Sequence, residues 1–159
     1  MTTSSSMSQR RKTALAVLKS FEDWTMESIL SLRIDDCIQE LLPELMFPTS
    51  LQQPPLNNEQ YHAFLTPILP NLRGFKVTPR LVMEDVEQNK VVVHCSSVAD
   101  VVVDGGKDVL KGGYRDEYVI IFHFNDEGTK ICRMTEFVDG LGIGKKMGMM
   151  MGSLGKEKL

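Results

Sequence analysis

The chain has 159 residues, 42% of them hydrophobic and 25% charged, which is the size and composition of one globular domain. The net charge of −3 and the lack of a basic stripe argue against a nucleic-acid partner, and no run of about 18 apolar residues predicts a membrane-spanning helix. The polar first residues lack the apolar core of a signal peptide, and the three scattered cysteines are typical of reduced thiols, so we expect a cytoplasmic protein.

Three helices are predicted in the first half of the chain. Residues 1–9 are expected to form a disordered tail, whereas apolar residues recur every three or four positions from Arg11 and predict a first helix. Thr25 can cap a short second helix through its side-chain oxygen. Asn57 or Asn58 can cap a third helix in the same way.

Long runs of β-branched and aromatic residues then predict strands. The runs are residues 75–84, 90–103, 114–124 and 130–138, and a shorter strand is expected before Pro43. Short connections favour antiparallel neighbours. The order predicts an α+β protein in which three N-terminal helices pack on one face of a curved, mostly antiparallel sheet. We expect a single domain over residues 10–145, followed by a Gly- and Met-rich tail or lid over residues 146–159.

Charged side chains stand at the start of the third of these long strands. If Asn125–Gly128 form the loop of the last hairpin, Glu117 lies opposite Glu136, and Arg115 shares their face of the sheet. Two opposed carboxylates in a dry environment raise the pKa of one of them, which suits a general acid or base. A solvated face is the alternative, but the apolar neighbours on that face favour a pocket with an apolar floor.

Four further residues are candidates for the same pocket. His94 lies in an apolar strand and His62 flanks the apolar stripe of the third helix, so each is either a pocket residue or an ordinary packed or surface residue. Arg33 lies where the second helix gives way to a strand, and Trp24 is a core residue or a pocket wall. The histidines and cysteines lack the short spacings of a metal site, so no metal is expected.

Four segments carry a resemblance to a known family. They are "LRIDDCIQELLP", "NNEQYHAFL", "DEYVIIFHFNDEGTKI" and "EFVDGLG". In the order of its elements the chain resembles the cone-shaped fold of ketosteroid isomerase, scytalone dehydratase, SnoaL cyclases and nuclear transport factor two. The more specific resemblance is to small fungal SnoaL-like proteins of polyketide and meroterpenoid biosynthesis.

The resemblance implies a conical pocket in which cofactor-free acid/base chemistry acts on an enolisable or hydroxylated ring. The catalytic candidates that it implies are Glu117, Glu136, His62, His94 and Arg115. The residues that it would place against the substrate are Arg33, Trp24, Tyr61 and Met134. No cofactor and no metal are expected.

The function that follows is a cofactor-independent isomerase or cyclase acting on a small polyketide-derived ring, such as a xanthone precursor, in fungal secondary metabolism. A dehydratase or epoxide hydrolase on the same fold is one alternative, because Arg115-x-Glu117 resembles the water-activating arrangement of limonene-epoxide hydrolases. A non-enzymatic binding module is the other. A homodimer is also expected, through an outer sheet face that carries Tyr114, Tyr118 and Phe122.

Overall fold

The computed structural model describes residues 6–43 and 54–139. The described residues form helices α1 (Gln9–Ser20), α2 (Met26–Leu30) and α3 (Asn58–Leu65). They also form strands β1 (Arg33–Leu42), β2 (Leu72–Asp85), β3 (Lys90–Val103), β4 (Asp108–Phe124) and β5 (Ile131–Phe137). The predicted α+β plan is confirmed. The predicted tail or lid over residues 146–159 lies outside the described residues.

Each helix begins at a side-chain cap. Ser8 caps α1 and Thr25 caps α2 with their hydroxyl oxygens, whereas Asn57 and Gln60 form the reciprocal capping box of α3. The caps at Thr25 and Asn57 are among those predicted. The cap at Ser8 starts α1 at Gln9, inside the stretch that was predicted as tail.

The five strands form one sheet in the order β1-β5-β4-β3-β2. Strands β2 to β5 are an antiparallel meander, as predicted, and β1 adds to the edge in parallel with β5. The helices pack on one side, which we call the covered face, and the other side is called the open face. The main core lies between α1 and the covered face, where Val17 and Leu18 pack with Val93 and Phe122.

The loop of the last hairpin is longer than the four residues predicted. Phe124 pairs with Ile131, so the loop spans residues 125–130. The Oδ1 atom of Asn125 accepts hydrogen bonds from two backbone amides later in this loop, those of Thr129 and the residue after it. These bonds hold the loop in its wider form, because an asparagine side chain can close a turn in place of the backbone.

The wider loop and a β-bulge beside it displace β5 along β4. The loop accounts for two positions, and the bulge, which falls between the Phe124–Ile131 and His123–Arg133 pairs, accounts for the third. Glu136 lies opposite Ile120, three positions along β4 from the partner that was predicted, Glu117. Because successive side chains of a strand point to opposite faces, an odd displacement exchanges the faces. The predicted pairing of Glu117 with Glu136 is therefore wrong.

The packing of the core also reverses the predicted roles of the two faces of β4. Tyr118 and Phe122 belong to the buried core, and Tyr114 packs against Phe75 on the same side of the sheet. The prediction that Tyr114, Tyr118 and Phe122 form an outer surface for dimerisation is therefore wrong. Glu117 lies on the open face, where its side chain is 65% exposed.

The assignment of faces predicts different costs for two phenylalanines. Phe122 on the covered face is fully buried, whereas Phe137 on the open face is 41% exposed. We predict that Phe122→Ala lowers the free energy of unfolding by about 3–5 kcal/mol, because it leaves a cavity. Phe137→Ala should cost about 1 kcal/mol. Urea denaturation followed by circular dichroism measures both, and equal losses would contradict the assignment.

Candidate active site

Glu136 of β5 is the carboxyl group at the centre of the site. Its Oε1 atom accepts a hydrogen bond of 2.8 Å from Nε2 of Gln39. Burial raises the pKa of Glu136 to about 7, and the negative charge of Asp116 adds to the shift, while Gln39 and the charge of Arg33 oppose it. The residue as a whole is half-buried. Glu136 therefore exchanges its proton close to neutral pH, as a general acid or base requires.

Arg33 of β1 orients the partner of this carboxyl group. Its Nη1 atom donates to Oε1 of Gln39 at 2.9 Å, and its Nε atom donates to Oδ1 of Asn58 at 2.7 Å. The guanidinium also lies over the ring of Tyr61, 4.9 Å from the centroid. Because the oxygen of Gln39 is held by Arg33, its amide nitrogen is the end that reaches Glu136.

The parallel pairing of β1 with β5 places these groups together. Gln39 lies beside Met134, one covered-face position before Glu136. Arg33 and Gln39 are buried, with exposures of 4% and 1%. A buried arginine that is hydrogen-bonded to neutral amides keeps a positive charge near the carboxyl group without a direct ion pair.

A chain of hydroxyl groups lies on the neighbouring strands of the covered face. Ser97 Oγ donates to the hydroxyl of Tyr118 at 2.9 Å, and the hydroxyls of Tyr118 and Tyr114 share a short hydrogen bond. The Tyr114 hydroxyl also donates to Oδ2 of Asp116 at 3.5 Å. Burial raises the pKa of both tyrosines, so both stay protonated, and the charge of Glu136 contributes to the rise at Tyr114.

Aromatic rings form one edge of the site. Trp24 stacks on Phe75 with ring centroids 4.3 Å apart, and Phe75 lies 5.8 Å from the ring of Tyr114. Trp24 is fixed by a hydrogen bond of 2.9 Å from its Nε1 atom to the carbonyl oxygen of Leu69. Stacked rings of this kind present a flat apolar surface, which suits a planar ring ligand.

Comparison with known proteins identifies relatives in fungi. No profile of a known protein family matches the chain. A Claviceps purpurea protein named as a monooxygenase is 30% identical over 116 residues, 73% of this chain and 66% of that protein. Austinoid biosynthesis clusters protein H from Penicillium brasilianum is 29% identical over 131 residues, 80% of each.

The solved structure of BvnE pinacolase from Penicillium brevicompactum is also similar. It is 25% identical to this chain, covers 92% of it with 96% of its own length, and gives a TM-score of 0.74. The chain belongs to the fungal SnoaL-like family. Its relatives indicate an enzyme of fungal secondary-metabolite biosynthesis.

In this SnoaL-like protein, some of the predicted site residues do come together. Glu136, Arg33 and Tyr61 are linked through Gln39 and through the guanidinium contact, and Trp24 forms the aromatic edge. Met134 lies on the same face as Glu136, but it is 1% exposed and packs in the core.

Four other predicted residues lie away from this group. His94 and Glu117 form a pair on the open face, with 2.5 Å between Nε2 and Oε1. Arg115 is exposed on the same open face. His62 is exposed on α3, where its Nδ1 atom lies 3.3 Å from the hydroxyl of Thr66. The structure therefore does not bring these four to Glu136.

Sequence reasoning missed most of the surrounding polar groups. They are Gln39, Ser97, Tyr114, Asp116 and Tyr118. A signal for the correct face was present, because the even-numbered positions of β4 include Ile120, Phe122 and Phe124 and are more apolar than the odd-numbered ones. The more apolar face of a strand is the one that packs against helices. That choice selects Asp116 in place of Glu117 as the carboxylate near Glu136.

The cysteines are free, as predicted. Burial raises the pKa of Cys37 to about 11 and that of Cys95 to about 12, so neither is a reactive thiolate at neutral pH. Within residues 6–43 and 54–139, no group of His, Cys, Asp and Glu side chains is arranged to hold a metal ion. Across the same described part of the chain, every helix is too short or too polar to cross a membrane.

The raised pKa of Glu136 predicts a pH-dependent stability. Its folded pKa of about 7 lies above the ordinary value of 4.5, so its stabilising contribution is present below pH 4.5 and is lost as the pH rises through about 7. Glu136→Gln lacks that dependence. We predict that its free energy of unfolding, relative to the native chain, rises by roughly 2–4 kcal/mol between about pH 5 and about pH 8.

Urea denaturation at a series of pH values measures this difference. Glu87→Gln is the matched control, because Glu87 is exposed in the turn between β2 and β3. The difference in free energy of unfolding between Glu87→Gln and the native chain should not change with pH. A flat difference for Glu136→Gln as well would contradict the raised pKa.

Proposed function

We propose that this protein is a cofactor-independent isomerase or cyclase that moves a proton within a polyketide-derived ring, of the xanthone-precursor type, in fungal secondary metabolism. The observation that carries the proposal is the pKa of about 7 at Glu136, in a site that is only partly accessible. Glu136 is close to half ionised at neutral pH, so one group can both take a proton and return it. A relative named for an austinoid biosynthesis cluster supports a role in fungal secondary metabolism.

The proposed reaction begins when Glu136 removes a proton from a carbon next to a carbonyl group. Gln39 engages Oε1, which leaves Oε2 to receive the proton. The electrons of the broken C–H bond form a carbon–carbon double bond, and the carbonyl oxygen becomes an enolate oxygen. Glu136, now protonated, returns the proton to a different carbon. The product is an isomer of the substrate, and no oxidant or reductant is consumed.

The neighbouring groups shift the pKa of Glu136 in opposite directions. The charge of Arg33 and the hydrogen bond of Gln39 favour the ionised form, whereas burial and the charge of Asp116 favour the protonated form. A balance near neutral pH is what a single residue needs to act as base and then as acid. The aromatic surface of Trp24 and Phe75 would hold a planar ring beside it.

Other activities on this fold differ in the mass of the product. An isomerase or cyclase leaves the mass unchanged, a dehydratase removes one water, and an epoxide hydrolase adds one water. A monooxygenase, the name of the Claviceps relative, adds one oxygen atom. A binding module gives no product. The residues that suggested epoxide hydrolysis, Arg115 and Glu117, lie on the open face, so we favour isomerisation.

Turnover should depend on Glu136 and not on Glu117. We predict that Glu136→Gln folds normally and loses about 10²- to 10⁴-fold in kcat, because an amide cannot accept the proton. Glu117→Gln, the matched change on the open face, should retain activity. Xanthone-type precursors with an enolisable ketone are incubated in heavy water, and mass spectrometry follows product formation and deuterium uptake.

Three results would count against this proposal. Full activity of Glu136→Gln would remove the proposed base. A loss confined to Glu117→Gln would place the chemistry on the open face. A product of altered mass from the native chain would replace the isomerase with one of the other activities.

We also propose that the protein forms a homodimer through the open face. Strand pairing places Leu81, His94, Val119 and Phe137 in one row across four strands. Leu81, Val119 and Phe137 are 50%, 39% and 41% exposed. Large apolar side chains that are exposed side by side are typical of an interaction surface.

A charge on this row should separate the subunits. We predict that the native chain sediments as a dimer at micromolar concentration and that Val119→Asp sediments as a monomer, because a buried unpaired carboxylate opposes association. Glu127→Asp, a conservative change in the exposed hairpin loop, is the control and should remain a dimer. A monomeric native chain in analytical ultracentrifugation would contradict the proposal.

A further inference from the structure

We propose that Tyr114 is a catalytic hydrogen-bond donor to the substrate oxygen that becomes negative, and that Tyr118 and Ser97 are positioning residues behind it. This inference rests on the proposed function and adds a second functional group to the site. The ligand class that it implies is a planar ring with an enolate or phenolate oxygen. The inference depends on how three hydroxyl groups are connected on the covered face.

The hydroxyl chain runs from the core towards the accessible part of the site. Ser97 is 6% exposed and donates to Tyr118 at 2.9 Å, and Tyr118 is itself 9% exposed. The hydroxyl of Tyr118 shares a short hydrogen bond with that of Tyr114, which is only half-buried. Tyr114 is therefore the most accessible of the three residues.

The direction of the hydrogen bonds follows from the last member. The hydroxyl of Tyr114 donates to Oδ2 of Asp116. The oxygen of Tyr114 must then accept from Tyr118, whose oxygen accepts from Ser97. All three O–H groups therefore point the same way, towards the outer end. Aligned hydroxyls of this kind polarise one another and strengthen the terminal donor.

The geometry leaves Tyr114 able to exchange Asp116 for a substrate oxyanion. The oxygen–oxygen distance from Tyr114 to Asp116 is 3.5 Å, whereas a charge-assisted O–H···O⁻ bond is about 2.5–2.7 Å long. An oxyanion at the ordinary distance would form the stronger bond. Such a preorganised donor acts where charge develops in the transition state. The high pKa of Tyr114 agrees with a donor that keeps its proton.

The position of Tyr114 fits a ligand held between it and Glu136. Both side chains belong to the covered face, and the charge of Glu136 acts on the Tyr114 hydroxyl. The ring of Tyr114 continues the aromatic edge through Phe75 to Trp24. A planar ring against that edge would place its oxygen at Tyr114 while Glu136 takes the proton from carbon. The electron pair of the broken C–H bond then ends as negative charge on that oxygen.

The test compares binding of 4-nitrophenolate with that of its neutral ether, 4-nitroanisole. The visible absorbance of nitrophenol reports whether the bound probe is ionised. The native chain should bind the phenolate more tightly than the ether. Tyr114→Phe should lose roughly 10- to 100-fold in affinity for the phenolate, because it removes a hydrogen bond to a charged oxygen. Its affinity for the ether should not change.

Substitutions of the two supporting residues give a graded comparison of phenolate affinity. Each removes one hydroxyl group and changes the shape of the side chain little. Tyr118→Phe and Ser97→Ala should each weaken phenolate binding by a smaller factor than Tyr114→Phe. Ser96→Ala is the matched control, because Ser96 lies on the open face beside Arg80. It should bind both probes as the native chain does. If Tyr114→Phe fails to fold, the pair Ser97→Ala and Ser96→Ala decides the same question.

With a substrate that the enzyme converts, Tyr114→Phe should lower kcat with little change in KM, because the donor acts on charge that exists only in the transition state.

Equal phenolate affinity in the native chain and Tyr114→Phe would overturn the inference, and so would a native chain that does not prefer the phenolate to the ether. These failures leave the proposed function intact if Glu136→Gln still loses turnover. Conversely, only the proposed function would be overturned if Glu136→Gln kept its turnover while Tyr114→Phe lost its affinity for the phenolate.

Discussion

The register of β5 against β4 decides which charged residues meet in this protein. The side chain of Asn125 accepts two backbone amides and holds the loop over residues 125–130. The extra residue of a β-bulge after this loop, between the Phe124–Ile131 and His123–Arg133 pairs, brings Glu136 onto the covered face, whereas Glu117 lies on the open face. Without the bulge the displacement would be even, and the alternate side chains of β5 would enter the site.

Burial then gives Glu136 its chemistry, and a neutral amide moderates it. A direct ion pair with a buried arginine would hold the carboxyl group in its ionised form. Here Gln39 stands between Arg33 and Glu136, so the positive charge acts through an intervening hydrogen bond. Loss of solvent therefore remains the larger influence, and the pKa of Glu136 settles near neutrality.

The site contains two groups of polar residues with different proposed roles. Glu136 and its amide partner can move a proton, whereas Tyr114 and the hydroxyls behind it can hold an oxygen as it becomes negative. The family shares this scaffold among proteins that carry names as different as pinacolase and monooxygenase. On such a fold the reaction is a property of the few polar groups on the covered face, and the scaffold alone does not choose it.

Local patterns in the sequence were enough for the elements and the family. Side-chain caps at Thr25 and Asn57 start two helices, and runs of β-branched residues mark the long strands, because both effects act between neighbours in the chain. Alternation also showed that Arg115 and Glu117 share a face, since the period of a strand is two. Only the tertiary structure decided how β1 pairs with β5 and where β5 lies along β4. Both pairings depend on hydrogen bonds between residues far apart in sequence, and the register of β5 also depends on a β-bulge beside the last hairpin loop.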